Sequence, residues 1–240
     1  LESLLSGEDL YVVNAASNDL SVINVANSQL RAHIEVGGFP VGIAQSLDGG
    51  SIYIDNAVDG SVSVIDAESL SEISRTVVTQ LPFDDNVKEG LKLFHSSDDT
   101  RMAKDQWISC ATCHFDGGSD NQTWHFPDGL RNTPSLITTS LTGPFHWSGN
   151  LDEVQDVENT IRELQGGTGL VSGEDNCTPA CDGAEKNAGR SEALDNLTAF
   201  IATLRFGAEV TEASDAPSPE QRGEALFTST ELNCTQCHQA

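Results

Sequence analysis

Two five-residue stretches have the types and spacing to do chemistry: Cys110-Ala-Thr-Cys113-His114 and Cys234-Thr-Gln-Cys237-His238. Two thiols separated by two residues match the separation of the vinyl groups on a haem. The histidine that follows is carried by the same turn to the iron's proximal side. The pattern therefore predicts two covalently bound haem c groups, held by Cys110, Cys113, Cys234 and Cys237, with His114 and His238 as iron ligands. A redox dithiol or half of a zinc site uses the same Cys-x-x-Cys pair. A zinc ribbon, however, brings its two pairs within about 20 residues of each other, whereas Cys113 and Cys234 lie far apart and each pair carries its own histidine.

Composition sets limits on the rest. The 240 residues carry 12 basic and 37 acidic side chains, a net charge of −25. Such a surface repels nucleic acid and anionic membrane. It reads as a solvated face, or as a field that steers a small basic redox partner. No run approaches the ~18 apolar residues of a membrane span. Haem is attached outside the cytoplasmic membrane, which places the protein in the periplasm or at the cell surface. The two remaining cysteines, Cys177 and Cys181, have no histidine after them. In an oxidising compartment they read as a short disulfide loop.

The elements that must position the haem sites follow from periodicity. Leu10-Tyr11-Val12-Val13-Asn14 returns 42 residues later as Ile52-Tyr53-Ile54-Asp55-Asn56, and Leu20-Ser21-Val22-Ile23-Asn24 returns as Val62-Ser63-Val64-Ile65-Asp66. Each copy alternates apolar and polar residues around polar turns, the mark of short antiparallel strands. A β repeat of this length predicts propeller blades, and the segments resemble the YVTN-type repeat. From about residue 83 the spacing becomes helical, at Val87, Leu91 and Phe94, at Val154, Val157, Ile161 and Leu164, and at Leu194, Leu197, Ile201 and Leu204 after a Ser191 cap. Gly-x-x-Leu-Phe occurs before both pentads, at Gly90–Phe94 and Gly223–Phe227. The expected fold is a partial set of all-β propeller blades over 1–82, then mostly α tandem cytochrome c-type domains. The first haem domain covers 83–211 and the start of a second covers 212–240. With a partial propeller and a partial second haem module, the chain reads as a segment of a larger protein.

The order of motifs after the first pentad resembles the bacterial dihaem cytochrome c peroxidase family, which includes the maturation enzyme of methylamine dehydrogenase. Ile108-Ser109-Cys110-Ala-Thr-Cys113-His114 is similar to that family's first haem site. Gly129-Leu130-Arg131-Asn132-Thr133-Pro134 is similar to its Arg-Asn-Thr-Pro segment, and Phe145-His146-Trp147-Ser148-Gly149-Asn150 to its Phe-Trp-Asp-Gly-Arg segment. The resemblance implies reduction of hydrogen peroxide at the His114 haem. Electrons would enter through the His238 haem, whose second ligand would be a methionine beyond residue 240. It also implies Trp147 as a relay between the haems, Arg131 as a partner for a haem propionate, and Gln155 with Glu158 or Glu163 on the distal side as proton carriers.

Some residues depart from the family's pattern. Asp-Gly-Arg is replaced by Ser148-Gly149-Asn150, and His146 stands where an aromatic is usual. A histidine there, or His125 or His95, is a candidate sixth iron ligand. A haem closed by two histidines carries electrons but does not readily take peroxide. Pure electron transfer, within an extracellular assembly, is therefore the alternative function. A surface-binding protein in which the propeller does the recognition is a third. The acids and amides Asp116, Asp120, Asn121 and Asp128 also make calcium a candidate, against the plainer reading of a solvated loop.

Overall fold

The computed structural model describes residues 2–126, 129–172, 186–205 and 217–236. The chain divides into two compact units, Leu1–Leu204 and Arg205–Ala240.

The first unit opens with eight short strands. β1 (Ser3–Ser6), β2 (Asp9–Asn14), β3 (Asp19–Asn24) and β4 (Gln29–Glu35) form one antiparallel sheet in chain order. β5 (Pro40–Gln45), β6 (Ser51–Asn56), β7 (Ser61–Asp66) and β8 (Ser71–Val77) form a second of the same order. The alternation in the sequence is the physical cause: side chains on a strand point to opposite faces in turn, so every second residue can be buried. In β6, Ile52, Ile54 and Asn56 are buried while Tyr53 and Asp55 between them are exposed.

The 42-residue repeat persists in backbone detail. A bulge between Val22 and Ile23 in the first sheet recurs between Val64 and Ile65 in the second. Asn14 Nδ2 donates to Ser21 Oγ at 2.8 Å, and Asn56 Nδ2 donates to Ser63 Oγ at 2.9 Å. The left-handed turn residue is Asn18 in one copy and Gly60 in the other, with φ 55° and 60°. Asparagine and glycine are the residues that reach this region at least cost. β1 and β5, which lie outside the repeated segments quoted above, complete each sheet as its first strand. The two sheets share a core of Tyr11, Val13, Leu20, Val22 and Ile34 from the first and Ile52, Ile54 and Ile65 from the second.

The change of period near residue 83 is a change of structure. β8 ends at Val77 and α1 (Asp85–His95) begins eight residues later. α1 packs against α4 (Glu192–Thr203), which Ser191 caps by accepting a hydrogen bond from Leu194 N–H. The crossing is close because Gly90 has no side chain: a Cβ there would lie 1.9 Å from the carbonyl oxygen of Asn196. Phe94 is fully buried below it and stacks obliquely on Phe200, with centroids 5.1 Å apart. Both belong to a second core with Met102, Cys110, Ile161, Leu194, Leu197 and Ile201.

A seam ties the sheets to the end of α1. Asn18 Nδ2 donates to Asp98 at 2.5 Å and to Ser96 at 3.2 Å, and Asn18 Oδ1 accepts from Phe39 N–H. Ser97 N–H donates to Ala16 O, and the Phe39 ring meets His95 edge-on at 4.2 Å.

Two details of the helical half differ from the periodicity. The stretch expected to be helical from Val154 to Leu164 starts as a 3-10 turn over Val154–Asp156. It becomes α-helical only in α3 (Val157–Glu163), and Leu164 is exposed. The Asp156 carboxylate accepts from the backbone N–H groups of Asp152 and Glu153, which fixes the tighter turn. A hairpin also stands within the part expected to be mostly α, β9 (Thr123–Phe126) paired with β10 (Gly129–Asn132). The second unit contains α5 (Pro219–Phe227), whose Ser218 cap and Gln221 satisfy each other's backbone N–H groups.

Candidate haem site

The first pentad forms its own helical turn. α2 (Cys110–Cys113) places the two thiols three residues apart, on one side of the turn. Ser109 N–H donates to Thr112 Oγ1 at 3.1 Å and starts the turn, and His114 N–H donates to Cys110 O at 2.9 Å and closes it. Neither cysteine is in a disulfide. Cys110 is buried in the core beside Met102 and Ile161. Burial pushes its thiol pKa up to about 11, against a weaker pull from the Gln165 side chain. Burial and then the charge of Asp120 also raise Cys113.

The His114 imidazole is held below its ordinary pKa, chiefly by burial, with the Gly118 and Pro134 backbone acting the other way. At neutral pH it is uncharged, the form that binds a metal. Its Nδ1 is buried and makes no hydrogen bond. Two reduced thiols on one turn, next to a neutral imidazole with an orphaned nitrogen, fit covalent haem. A closed structural site would instead need further ligands. Among the described residues no three His, Cys, Asp or Glu side chains converge to hold a metal ion. That also leaves the calcium expectation without a cluster among Asp116, Asp120 and Asn121; Asp128 lies outside the described residues.

The β9–β10 hairpin is fastened to the pentad. Asp120 N–H donates to Cys113 O, and the Asp120 carboxylate accepts from Trp124 Nε1–H at 2.9 Å. The hairpin's far strand, with Trp147, lines a cavity of about 320 Å³ formed by Leu130, Arg131, Asn132 and Trp147. Trp147 Nε1–H donates to Asn132 O at 2.7 Å, which fixes the indole while leaving it exposed. Arg131 is half-buried and donates to Leu130 O. The two residues named for a relay and a propionate partner therefore share one cavity.

The other expected residues are dispersed. His146 is exposed, with φ 65°, and its Nε2 lies 3.4 Å from Thr160 Oγ1. It is near enough to His114 for charge on one imidazole to disfavour charge on the other. His125 is exposed on β9, opposite Leu130. Gln155 donates to Asp195 on α4 at 3.2 Å, and Glu163 is exposed at the end of α3. Glu158 is buried in an ion pair with Arg162 and accepts from the N–H groups of Leu170 and Val171. That engagement removes Glu158 as a free proton carrier and makes it a brace for the 170–171 backbone. His95 Nδ1–H donates to Leu91 O, and the ring packs against three phenylalanines, on the seam rather than on the pentad.

One contributor carries no signal in the sequence. Gln165 is buried, its side chain acts on Cys110, and its carbonyl accepts from both Lys104 N–H and Trp107 Nε1–H. Only the fold brings it to the thiol. In the second pentad Cys234 is free and half-buried on a 3-10 turn (Cys234–Gln236). Cys237 and His238 lie outside the described residues, as do Cys177 and Cys181.

Comparison with known proteins finds partial likenesses. A 33% identical stretch of 86 residues aligns with cytochrome-c peroxidase IdrP2 of Denitromonas iodatirespirans, covering 33% of this chain and 22% of that protein. The chain thus spans less than a quarter of that relative's length. Among solved structures, hydrazine synthase of Kuenenia stuttgartiensis overlaps 32% of this chain and 22% of its own, at 26% identity and a TM-score of 0.30. Apo AztD of Citrobacter koseri overlaps 33% of this chain and 23% of its own, at 22% identity and a TM-score of 0.28. Residues 84–198, which contain the first pentad, the hairpin, α1 and the first part of α4, match the family described as di-haem cytochrome c peroxidase, and it is to that family that the haem-binding stretch of this chain is similar.

Proposed function

We propose that this chain is the haem-bearing part of a dihaem c-type redox protein that reduces hydrogen peroxide with electrons passed between two covalent haems. The observation that carries the reading is the pentad turn: two unbridged thiols on one side of α2 and a neutral, half-buried His114 beside them. Bound there, haem would supply an iron that exchanges single electrons and reacts with peroxide. The chain's own part is to fix and surround that group. Cys110 and Cys113 hold it, and His114 offers its ring nitrogen. Asp120 locks the hairpin to the pentad, while Arg131 and Trp147 present a guanidinium and an indole in one cavity. Cys234, Cys237 and His238 would hold the second haem.

The two repeated sheets are read as blades of a β-propeller, and the site of action as the periplasm or cell surface. No described helix is long and apolar enough to cross a membrane. The net charge of −25 favours a small basic protein as electron donor or acceptor.

A second reading is pure electron transfer with both irons closed by two protein ligands. The nearness of His146 to His114 favours it. Electron paramagnetic resonance of the haem-loaded protein, oxidised and after one-electron reduction, separates the two. A high-spin ferric signal with peroxide turnover is expected for the peroxidase. Low-spin signals alone, in both states and without turnover, would leave only electron transfer.

A further inference from the structure

One acid is built into the surroundings of the first pentad. Asp120 N–H donates to the carbonyl of Cys113, the residue before His114, at 2.9 Å. Its side chain is half-buried and takes a donor at each oxygen. Gln122 N–H reaches Oδ1 at 3.0 Å, and Trp124 Nε1–H reaches Oδ2 at 2.9 Å. Burial works to raise the Asp120 pKa, but those two donors and the buried Thr133 side chain hold it below the ordinary carboxylate value. Asp120 is therefore charged at neutral pH.

That charge is felt at the pentad. It opposes loss of the Cys113 proton and favours a proton on His114. The other titratable neighbour acting on His114 is the exposed His146 ring, whose effect has the opposite sign. Asp116 lies closer in sequence, but it is exposed and its field falls on His95. A fixed negative charge stabilises the more positive of two redox states. At an effective dielectric of about 20, one unit charge within about 12 Å changes a one-electron equilibrium by about tenfold.

We propose that Asp120 sets the reduction potential of the haem held by the first pentad, lowering it by keeping a carboxylate charge beside Cys113 and His114. The inference rests on the haem reading above. Asp120 acts through the pentad and touches no substrate, so it is a positioning residue. The bond to Cys113 O fixes its backbone, and Gln122 and Trp124 aim the carboxylate. A lowered potential makes the reduced group a stronger electron donor, which is the bias that reduction of peroxide needs.

The test is a spectroelectrochemical titration of the full haem-loaded chain carrying Cys234→Ala and Cys237→Ala, so that only the first pentad holds haem. Asp120→Asn keeps the side chain's size and one acceptor oxygen but removes the charge. It should favour the reduced state about tenfold, a rise of about 59 mV for one electron. Asp120→Glu keeps the charge and should stay within about threefold of the parent. Gln122→Lys alters an exposed side chain and brings a cation beside Asp120. It should favour the reduced state about threefold, and it decides the matter if Asp120→Asn loads no haem. A haem-bearing Asp120→Asn variant at the parent's potential overturns the proposal, as does an unshifted Gln122→Lys variant where Asp120→Asn loads none. An Asp120→Glu shift as large as that of Asp120→Asn also overturns it, because packing and not charge would then control the potential. A parent without covalent haem in its pyridine haemochrome spectrum sinks the haem reading itself. A haem-bearing parent whose variants do not move sinks this inference alone.

Discussion

At the scale of single residues, the pentad and its braces make separable predictions. Replacing Cys110 and Cys113 together by alanine should remove one haem from the intact mass while the second pentad keeps its own, read by mass spectrometry and the pyridine haemochrome spectrum. Retention of two covalent haems would exclude these thiols as the attachment points. Glu158 tests the opposite kind of role. It is 4% exposed, paired to Arg162, and holds two backbone N–H groups. Glu158→Gln removes the charge that the half-buried Arg162 guanidinium faces and should cost about 3 kcal/mol in denaturant unfolding. The haem spectrum and turnover per folded molecule should not change. Loss of turnover at full stability would return Glu158 to the chemistry. The pentad was legible because its spacing is dictated by a cofactor's shape. Gln165 and Asp120 were not: Gln165 matters for a contact across the chain, and a lone glutamine before Gly166 or an acid in an acidic protein has no distinguishing pattern.

At the scale of elements, the Gly-x-x-Leu-Phe echo makes one sequence motif predict two different energetics. In α1, Gly90 lets the Asn196 carbonyl approach to where its Cβ would be. Gly90→Ala should therefore destabilise the first unit by about 3 kcal/mol or more through backbone overlap that no rotamer can relieve. In α5, nothing lies within 4 Å of a Cβ built on Gly223. There the same change removes a flexible residue from a helix interior and should stabilise the second unit by about 1 kcal/mol. Thermal unfolding of the two variants should shift in opposite directions. If Gly223→Ala destabilises instead, α5 is closely packed in the haem-loaded protein as α1 is here. The strands and the apolar stripes of α1 and α4 could be read from periodicity because each buries one face. The β9–β10 hairpin could not: Thr123–Phe126 and Gly129–Asn132 are exposed or half-buried on both faces, so no alternation marks them. It is held by the Asp120 carboxylate at Trp124, four residues away, and by Trp147, fifteen residues from Asn132.

At the scale of the molecule, the seam between the sheets and α1 decides whether the first unit behaves as one body. Among the described residues it rests on a bridging asparagine, a backbone hydrogen bond and the packing of Phe39 on His95 and the helical core, so it is the place where the unit should yield first. Its histidine gives the seam a pH dependence. Burial among Phe39, Phe94 and Phe200 lowers the His95 pKa from 6.5, outweighing the opposing effects of the Leu91 carbonyl and the Asp116 charge. A lowered histidine is easier to protonate unfolded than folded. Its contribution is therefore complete above the ordinary imidazole value and is lost as the pH falls from there through the folded-state value. Acidification below about pH 6 should loosen the seam, seen as faster hydrogen exchange at Phe39 and at residues 95–98, before the α1–α4 core responds. His95→Phe should flatten that acid limb while leaving the neutral-pH stability nearly unchanged. Asn18→Gly should lower stability at every pH by about 1 kcal/mol, because glycine keeps the left-handed turn and loses only the side-chain bridge to Phe39, Ser96 and Asp98. If the two variants instead give the same pH profile, the acid response originates outside the seam and His95 is only a packed ring.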